Sequence, residues 1–273
     1  MSEEPLVSII IPTFNSERTL EPTLQSIKNQ SYNKIEVIVV DKGSLDKTVD
    51  IALSHNAMTF VIDGNERCVQ FNYGVTKAKG KYIYKVDSDF ILEPMVVEEA
   101  VAACEEGGFD AICIHNTSDP SISFWSKVRK FERDMYRDDD LNVAARFVRR
   151  DVFLRIGGFG EELVAAEDYD LHNRILEGNF RIGRIHAQEV HIGEPKTIAD
   201  VIRKHYYYGK SIGLFVKANQ GKALRQLSPL RPAFIRHREE FRKHPVLAIG
   251  FVIYQGARYS SALAGFVMRR IDN

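Results

Sequence analysis

The segment Tyr82–Leu92, YIYKVDSDFIL, constrains what this chain can fold into and do more than any other. It begins as an apolar run typical of a buried strand and turns abruptly polar at Asp87-Ser88-Asp89. Two carboxylates placed two residues apart repel each other, and a divalent cation bound through oxygen ligands offsets that repulsion most simply. Bound Mg²⁺ or Mn²⁺ keeps open coordination positions that a diphosphate can fill. A solvated turn is the simpler interpretation of the same residues.

Three earlier apolar runs have the same form. Leu6–Ile11 is closed by Pro12, Ile35–Val40 ends at Asp41, and Met58–Ile62 follows a helical pattern. This alternation predicts an α/β fold, with a Rossmann-like, mostly parallel central sheet and flanking helices. In such sheets ligands bind beyond the carboxyl ends of the strands. Polar residues cluster at those predicted ends, namely Thr13, Asn15, Asp41, Asp87 and Asp89.

Charge is unevenly distributed along the chain. The formal net charge is zero, yet residues 221–273 hold ten Lys or Arg and three acidic residues, a net charge of +7. A basic segment of this kind indicates an anionic partner. Because only this segment is basic and no nucleic-acid-binding motif occurs, we predict a membrane surface and no nucleic acid.

The segment Val246–Met268 is largely apolar and long enough to span a bilayer, but Gln255 and Arg258 fall in its middle. A central arginine costs about 2.5–3.5 kcal/mol or more in a bilayer. An amphipathic helix lying in the membrane interface is therefore favoured, although the helix could also pack on the rest of the chain or on a second copy.

The cysteines and the first residues bear on the compartment. The three cysteines, Cys68, Cys104 and Cys113, form no C-x-x-C motif and suggest neither a disulfide framework nor a zinc site. A reducing compartment fits. The first residues are acidic, with an apolar run of only about six residues, and do not read as a signal peptide. We expect a cytoplasmic protein associated peripherally with the inner face of the cell membrane.

Six segments together resemble the family 2 glycosyltransferases. They occur in the family's order, over roughly residues 6 to 195, and read VSIIIPTFNSERTL, EVIVVDKGSLDKT, ERCVQFNYG, YIYKVDSDF, IGGFGEEL and AEDYDLHNR. The resemblance implies a GT-A fold, a nucleotide-diphosphate sugar donor, Mn²⁺ or Mg²⁺, and inversion at the anomeric carbon. It also implies a catalytic domain over residues 1–195, and we expect residues 196–273 to form a helical appendage that associates with the membrane.

The resemblance assigns roles to individual residues. Asp168, paired with Glu167, matches the family's general base. Asp87 and Asp89 match the D-x-D that binds ribose and the metal–diphosphate, and His191 resembles a late histidine that adds a metal ligand. The expected donor-binding residues are Pro12, Thr13, Asn15, Asp41, Lys42, Arg67, Asp87, Ser88 and Asp89.

Two residues depart from the family's pattern. Lys42 stands where the family usually has a second Asp, and Phe71 stands where related sequences often carry Arg. Lysine can only donate hydrogen bonds, so base recognition must differ. The Lys42 ammonium could donate a hydrogen bond to guanine O6 or N7, or to uracil O4. Of the two sugar donors, a GDP-sugar is favoured over a UDP-sugar.

The leading hypothesis is a metal-dependent inverting transferase that moves a mannose- or glucose-like hexose to a hydroxyl of a glycan or lipid-linked acceptor. A polyprenyl- or dolichyl-phosphate glycosyl synthase is the alternative within enzymes. Its phosphate nucleophile is already anionic and needs little help from a base. The alternative of another class is a nucleotide-sugar-binding protein without turnover. The intact Glu167-Asp168 pair favours the hydroxyl acceptor.

Overall fold

The computed structural model describes residues 4–63, 66–139 and 141–272 of the 273-residue chain. Within these residues it has eight strands and twelve helices. The strands are β1 Val7–Thr13, β2 Ile35–Asp41, β3 Met58–Val61, β4 Tyr82–Lys85, β5 Phe90–Leu92, β6 Ala111–Ser118, β7 Ala145–Arg149 and β8 Ile182–His191. The helices are α1 Leu20–Lys28, α2 Thr48–Ser54, α3 Arg67–Lys77, α4 Val96–Glu105, α5 Phe124–Asp134, α6 Arg150–Arg155, α7 Glu167–Glu177, α8 Ile198–Ala218, α9 Gln220–Gln226, α10 Pro232–Arg236, α11 Arg238–Lys243 and α12 Pro245–Asp272.

The eight strands form one sheet in the order β3-β2-β1-β4-β7-β6-β8-β5. The pairs β1–β2, β1–β4 and β2–β3 are parallel. The pairs β4–β7, β6–β7 and β5–β8 are antiparallel. The predicted α/β fold is confirmed, with a sheet that is mixed rather than mostly parallel. Its parallel part is the part that the apolar runs of the sequence predict.

The central strands β1 and β4 are largely apolar, with Ser8, Thr13 and Lys85 as their polar residues. All seven residues of β1 and all four of β4 are buried. Such continuous burial is typical of strands covered on both faces. In α1, Pro22 lies in the first turn, where a missing backbone N–H costs little. The short loops after β1, β2 and β4 therefore emerge from fixed strand ends.

Two compact units divide the chain, and each is formed from several segments. Unit 1 consists of Met1–His115, Ala144–Glu161 and Leu171–Gly193. Unit 2 consists of Asn116–Val143, Glu162–Asp170 and Glu194–Asn273. Unit 1 holds the sheet except for the end of β6. The predicted functional division at residue 195 stays a prediction.

Unit 2 is built around the long helices α8 and α12. They approach closely at two glycines: a Cβ on Gly209 would lie 2.1 Å from the carbonyl oxygen of Ala262, and one on Gly265 would lie 2.1 Å from that of Tyr206. A core cluster containing Val128, Val201, Phe251 and Tyr254 joins these helices to α5. In the described part of the chain, no helix combines the length and the hydropathy that crossing a bilayer requires.

Candidate functional site

The segment Asp87-Ser88-Asp89 lies between β4 and β5 in unit 1, at the carboxyl end of β4. The antiparallel register of β5 and β8 places Phe90 opposite His191. This register brings His191 Nε2 to 3.4 Å from Asp89 Oδ2. The Ile192 N–H donates to the Asp89 carbonyl at 2.8 Å and fixes the backbone there. Two residues predicted to bind the metal are thus neighbours, although 102 positions separate them in sequence.

Gly193 leaves room for the Asp89 carboxylate because it has no side chain. A Cβ at this position would lie 2.0 Å from Asp89 Oδ2, far inside van der Waals contact. Any other residue would force the carboxylate to move. Sequence reasoning missed this residue, because only the pairing of β5 with β8 brings it near Asp89.

Exchange of Gly193 for alanine is therefore expected to disturb the metal ligand rather than the fold. The Cβ meets the end of a side chain, so the carboxylate rotates away. Supporting residues around metal ligands typically contribute 10–100-fold in affinity. We expect Gly193→Ala to lower Mn²⁺-dependent nucleotide affinity by roughly that factor, measured by calorimetry. Gly256→Ala is the control, since nothing lies within 4 Å of its Cβ position. Equal affinity of both variants would contradict this role.

Two cations fix the other acid of the motif. Arg146 Nη2 lies 3.0 Å from Asp87 Oδ2, and Lys85 Nζ lies 3.4 Å from Asp87 Oδ1. Arg146 Nε also donates to the Lys85 carbonyl at 3.1 Å. Burial acts to raise the pKa of Asp87, but Lys85 and Arg146, with a smaller contribution from Arg67, hold that pKa well below its usual range. Asp87 is therefore ionised and held in one orientation.

Glu189 continues this network beneath the motif. Its carboxylate is fully buried, lies 3.7 Å from Arg146 Nη1 through Oε2, and accepts a hydrogen bond from the Tyr84 hydroxyl through Oε1. Burial raises the pKa of Glu189, against the opposing influence of Arg146 and Tyr84. No local pattern in the sequence connects Arg146 and Glu189 with Asp87. A charged residue inside the apolar run of β4, Lys85, was the available signal.

Two of the predicted metal ligands lie side by side in this structure. Asp89 and His191 converge, and the exposed fractions of their side chains are 28% and 7%. Carboxylate oxygen and imidazole nitrogen are ligands that suit Mn²⁺, with diphosphate and water filling the other positions. Among the residues described, no three His, Cys, Asp or Glu side chains converge as a complete metal site. The pair fits a metal shared with a diphosphate, and a ligand role for Asp87 stays a prediction.

Asp41 organises the loop that follows β2. Its carboxylate is fully buried. Oδ1 accepts from the N–H groups of Gly43 and Ser44 at 2.9 and 2.6 Å, and Oδ2 accepts from the hydroxyls of Ser44 and Thr13 at 2.6 and 2.7 Å. The predicted donor-binding residues Asp41 and Thr13 are therefore bonded to each other, and together they shape the loop.

Asn15 links the loops after β1 and β2. Its N–H donates to the Ser44 hydroxyl at 2.8 Å, and its side-chain oxygen accepts from the Leu45 N–H at 3.0 Å. Its φ of 47° lies in the left-handed region, which asparagine tolerates better than most residues. Nearby, Lys42 Nζ lies 4.4 Å from the centre of the Phe14 ring, which is 48% exposed. An exposed ring and a cation therefore stand together at this edge of the sheet.

Gln70 and Ser16 connect these loops with their surroundings. The buried Gln70 side chain donates to the carbonyls of Thr13 and Val40 at 2.8 and 2.6 Å, and so joins the ends of β1 and β2. The Ser16 and Ser88 hydroxyls lie 2.9 Å apart, which ties the start of α1 to the acidic motif. Ser88 was a predicted donor-binding residue, whereas Gln70 and Ser16 were missed because their contacts are long-range.

Arg67 and Phe71 both lie on α3, with different surroundings. Arg67 begins the helix, and its charge helps to lower the pKa of Asp87. Phe71 is 2% exposed, and its ring centre lies 5.6 Å and 5.3 Å from those of Phe153 and Phe159. The departure at Phe71 therefore fills an aromatic core cluster.

Glu167 and Asp168 begin α7 and belong to unit 2, whereas the acidic motif belongs to unit 1. Glu167 is 3% exposed, and Asp168 is partly buried. The predicted helix start is confirmed, and Ala166 before it has a left-handed φ of 64°. The catalytic roles of Glu167 and Asp168 stay predictions.

Comparisons with known proteins agree on the family. The model of "Glycosyl transferase family 2" matches residues 8–154, and that of "Glycosyl transferase family group 2" matches residues 82–237. An uncharacterised glycosyltransferase of Rickettsia typhi is 30% identical over 189 residues, which cover 63% of this chain and 59% of that protein. One of Rickettsia felis is 30% identical over 207 residues, 68% of this chain and 33% of that protein. The chain thus spans about one third to three fifths of the length of these relatives.

Solved structures support the fold. The mannosyltransferase PcManGT of Pyrobaculum calidifontis, in complex with GDP-Man and Mn²⁺, has a TM-score of 0.60 at 18% identity, covering 99% of this chain and 80% of its own. S. aureus TarS 1-349 with UDP-GlcNAc has a TM-score of 0.56 at 16% identity, covering 94% and 90%. Glucosyl-3-phosphoglycerate synthase of Mycobacterium tuberculosis, with Mn²⁺, UDP and glucosyl-3-phosphoglycerate, has a TM-score of 0.55 at 16% identity, covering 78% and 80%. The chain belongs to glycosyl transferase family 2 and has the GT-A fold.

Proposed function

We propose that this glycosyltransferase moves a hexose, with inversion, from a nucleotide-diphosphate sugar to a hydroxyl of a glycan or lipid-linked acceptor, with Mn²⁺ or Mg²⁺. The observation that carries the proposal is the Asp89–His191 pair, whose side chains lie 3.4 Å apart. Asp89 belongs to the D-x-D motif, which follows β4. Similar folds bind GDP-Man with Mn²⁺ and UDP with Mn²⁺, which supports a nucleotide-sugar donor here.

Asp89 and His191 would hold the metal. When bound, the metal stabilises negative charge on the diphosphate leaving group as a Lewis acid. Asp87 is already ionised and clamped by Arg146, so it is a ready acceptor for a ribose hydroxyl. Arg67, whose charge acts at the same carboxylate, is the proposed phosphate contact. Together, these residues would bind and orient the nucleotide-sugar donor.

Lys42 and Phe14 are the proposed contacts for the base. The exposed ring of Phe14 offers a stacking surface, and the lysine ammonium beside it is a donor for guanine O6 or N7. A GDP-sugar is therefore favoured over a UDP-sugar. The acceptor side belongs to Asp168, which would remove the proton from the attacking hydroxyl.

Thermal unfolding with GDP, UDP and their sugars, with and without Mn²⁺, tests the donor. A ligand at a hundred times its Kd stabilises the native state by about 2.7 kcal/mol, which for a chain of this size raises Tm by roughly 5–10 °C. We expect that shift with GDP or a GDP-sugar plus Mn²⁺, and a smaller shift without metal. A larger shift with UDP would overturn the choice of base. No shift with any nucleotide would overturn the donor proposal.

Membrane association is proposed for α12. Seven apolar side chains on this helix are exposed, namely Val246, Ile249, Val252, Ile253, Leu263, Val267 and Met268. The preceding α11 exposes Arg238, Arg242 and Lys243. An apolar stripe next to basic side chains suits a helix lying on an anionic bilayer at the inner face of the membrane.

Charges placed in the stripe should release the protein from lipid. Ile249 and Ile253 are 63% and 51% exposed, and their transfer into lipid contributes roughly 2 kcal/mol together. The double variant Ile249→Glu/Ile253→Glu is expected to bind phosphatidylglycerol vesicles at least about thirtyfold more weakly in sedimentation assays. Leu154→Glu, an exposed change on α6, is the control. Undiminished binding would place membrane contact elsewhere, and a dimer lost by the variant in solution would identify a second copy as the occupant.

A further inference from the structure

A group of largely buried arginines lies in unit 2, whereas the predicted donor-binding residues belong to unit 1. Arg129 and Arg133 lie on one face of α5, with Glu132 between them, and Arg258 reaches them from α12. The side chains of Arg129 and Arg133 are each 15% exposed, that of Arg258 is 24% exposed, and Glu132 is fully buried. We call Arg129, Arg133, Arg231 and Arg258 the arginine cluster.

Two carboxylates face the cluster, and both are already engaged. Glu132 accepts from Arg129, from Arg258 Nη1 at 3.1 Å and from the Tyr136 hydroxyl at 2.8 Å. Glu194 lies 3.1 Å from Arg133 Nη2 and accepts from the Ser118 hydroxyl at 2.6 Å. Arg129 Nε also lies near this carboxylate, 3.8 Å from Glu194 Oε2.

The charges of this group do not balance. Four guanidiniums face Glu132 and Glu194, the carboxylates that the described residues place against them, which leaves a net charge of +2. Arg231, only 3% exposed, donates to the carbonyls of Ser228 and Gln226 after α9. Even with Arg231 set aside, three guanidiniums oppose two carboxylates. Excess charge out of water is costly unless another partner neutralises it.

Unused donors point to such a partner. Each guanidinium has five N–H donors. Arg129 and Arg258 each use Nη1 in a described hydrogen bond to Glu132, and the Nε of Arg133 is buried with no hydrogen-bond partner in the part of the chain that the structure describes. Burial, with the charge of Arg258, lowers the pKa of the nearby His205 to about 3, as a region of positive potential would.

We propose that the arginine cluster binds a phosphate or diphosphate group carried by the acceptor. Guanidinium forks match phosphate oxygens bidentately, and a phosphate monoester carries about −1.5 to −2, which offsets a net charge of +2. The acceptor would therefore be a phosphorylated glycan or a glycan linked to a lipid through phosphate, and one of its hydroxyls would receive the sugar. This assignment rests on the proposed transferase function.

Calorimetric titration of the full chain with inorganic phosphate and pyrophosphate in EDTA tests the site. The chelator removes the metal on which donor binding depends. We expect saturable binding that persists with saturating nucleotide and Mn²⁺ present. Loss of one charged hydrogen-bonding partner costs about 10–100-fold, so Arg258→Gln should weaken phosphate binding by that factor and leave Mn²⁺–nucleotide affinity unchanged. The phosphate affinity of Arg258→Lys should lie between those of the unchanged protein and Arg258→Gln. Arg203→Gln, an exposed change on α8, should bind phosphate as the unchanged protein does.

Decyl phosphate as a monomer separates the two sources of phosphate. Tighter binding than inorganic phosphate supports a lipid-linked acceptor, and equal binding supports a phosphorylated glycan. Three results would overturn the site: no saturable phosphate binding, equal weakening in Arg203→Gln, or displacement of phosphate by nucleotide. If Arg258→Gln unfolds, Arg129→Lys with a circular dichroism spectrum like that of the unchanged protein takes its place. If the protein binds phosphate but no nucleotide, the donor proposal is wrong and the phosphate site in the arginine cluster is still supported.

Discussion

Transfer to a hydroxyl acceptor is expected to fall by about 10²–10⁴-fold when Asp168 is replaced by asparagine. That factor is the usual contribution of a positioned general base, and asparagine keeps the size of the side chain while removing its proton acceptor. Asp168 lies in the first turn of α7, where the loss of its negative charge costs about 0.3–1 kcal/mol, so the Tm should fall by only a few degrees. Donor and metal affinity should stay near those of the unchanged protein, because the loss falls on the chemical step.

The same variant separates the two kinds of acceptor. A lipid phosphate is already ionised, so Asp168→Asn should lose much less activity with such a nucleophile. Glu162→Gln, an exposed change shortly before α7, is the matched control and should keep full activity. Full activity of Asp168→Asn toward a hydroxyl would show that Asp168 only begins the helix and that the base lies elsewhere.

Loss of the Asp89 carboxylate should abolish Mn²⁺-dependent nucleotide binding. Asp89→Ala removes the carboxylate that lies 3.4 Å from His191 Nε2, and a metal held by one remaining side chain binds poorly. His191→Gln should weaken the same binding by roughly 10–100-fold, by analogy with other losses around metal ligands. Calorimetry with GDP, with and without Mn²⁺, measures both effects.

His186→Gln is the control for this pair, since His186 is exposed on the same strand five residues earlier. Its nucleotide affinity should equal that of the unchanged protein. If Asp89→Ala binds nucleotide plus Mn²⁺ as tightly as the unchanged protein does, the carboxylate is not a metal ligand.

The parallel half of the sheet could be predicted from sequence because its strands are continuous apolar runs. β1, β2 and β4 lie where these runs lie, and the acidic motif follows β4 as expected. The antiparallel pairing of the other strands could not be predicted. β5 has only three residues, and β7 pairs with β4 in an antiparallel register that no local pattern specifies. Strand pairing between distant segments depends on tertiary packing.

The candidate site shows the same limit. Aspartates at strand ends could be identified from their position, but Gly193, Arg146 and Gln70 act through contacts with residues 30 to 104 positions away. Nothing in their local sequence distinguishes them. The helical appendage was predicted to begin after residue 195, whereas unit 2 also includes 116–143 and 162–170. Its core explains why, since α5 packs with α8 and α12 through Val128, Val201 and Phe251.

Release of free nucleotide from a nucleotide-sugar, with and without Mn²⁺, tests the central claim most directly. The protein is mixed with GDP-mannose, GDP-glucose, UDP-glucose or UDP-GlcNAc, and a coupled assay follows GDP or UDP over time. The proposal predicts catalytic turnover of one donor with Mn²⁺, loss of turnover in EDTA, and loss in Asp89→Ala but not in His186→Gln. Tight, metal-dependent binding of a donor without turnover, even with phosphorylated and unphosphorylated glycan acceptors present, would contradict it.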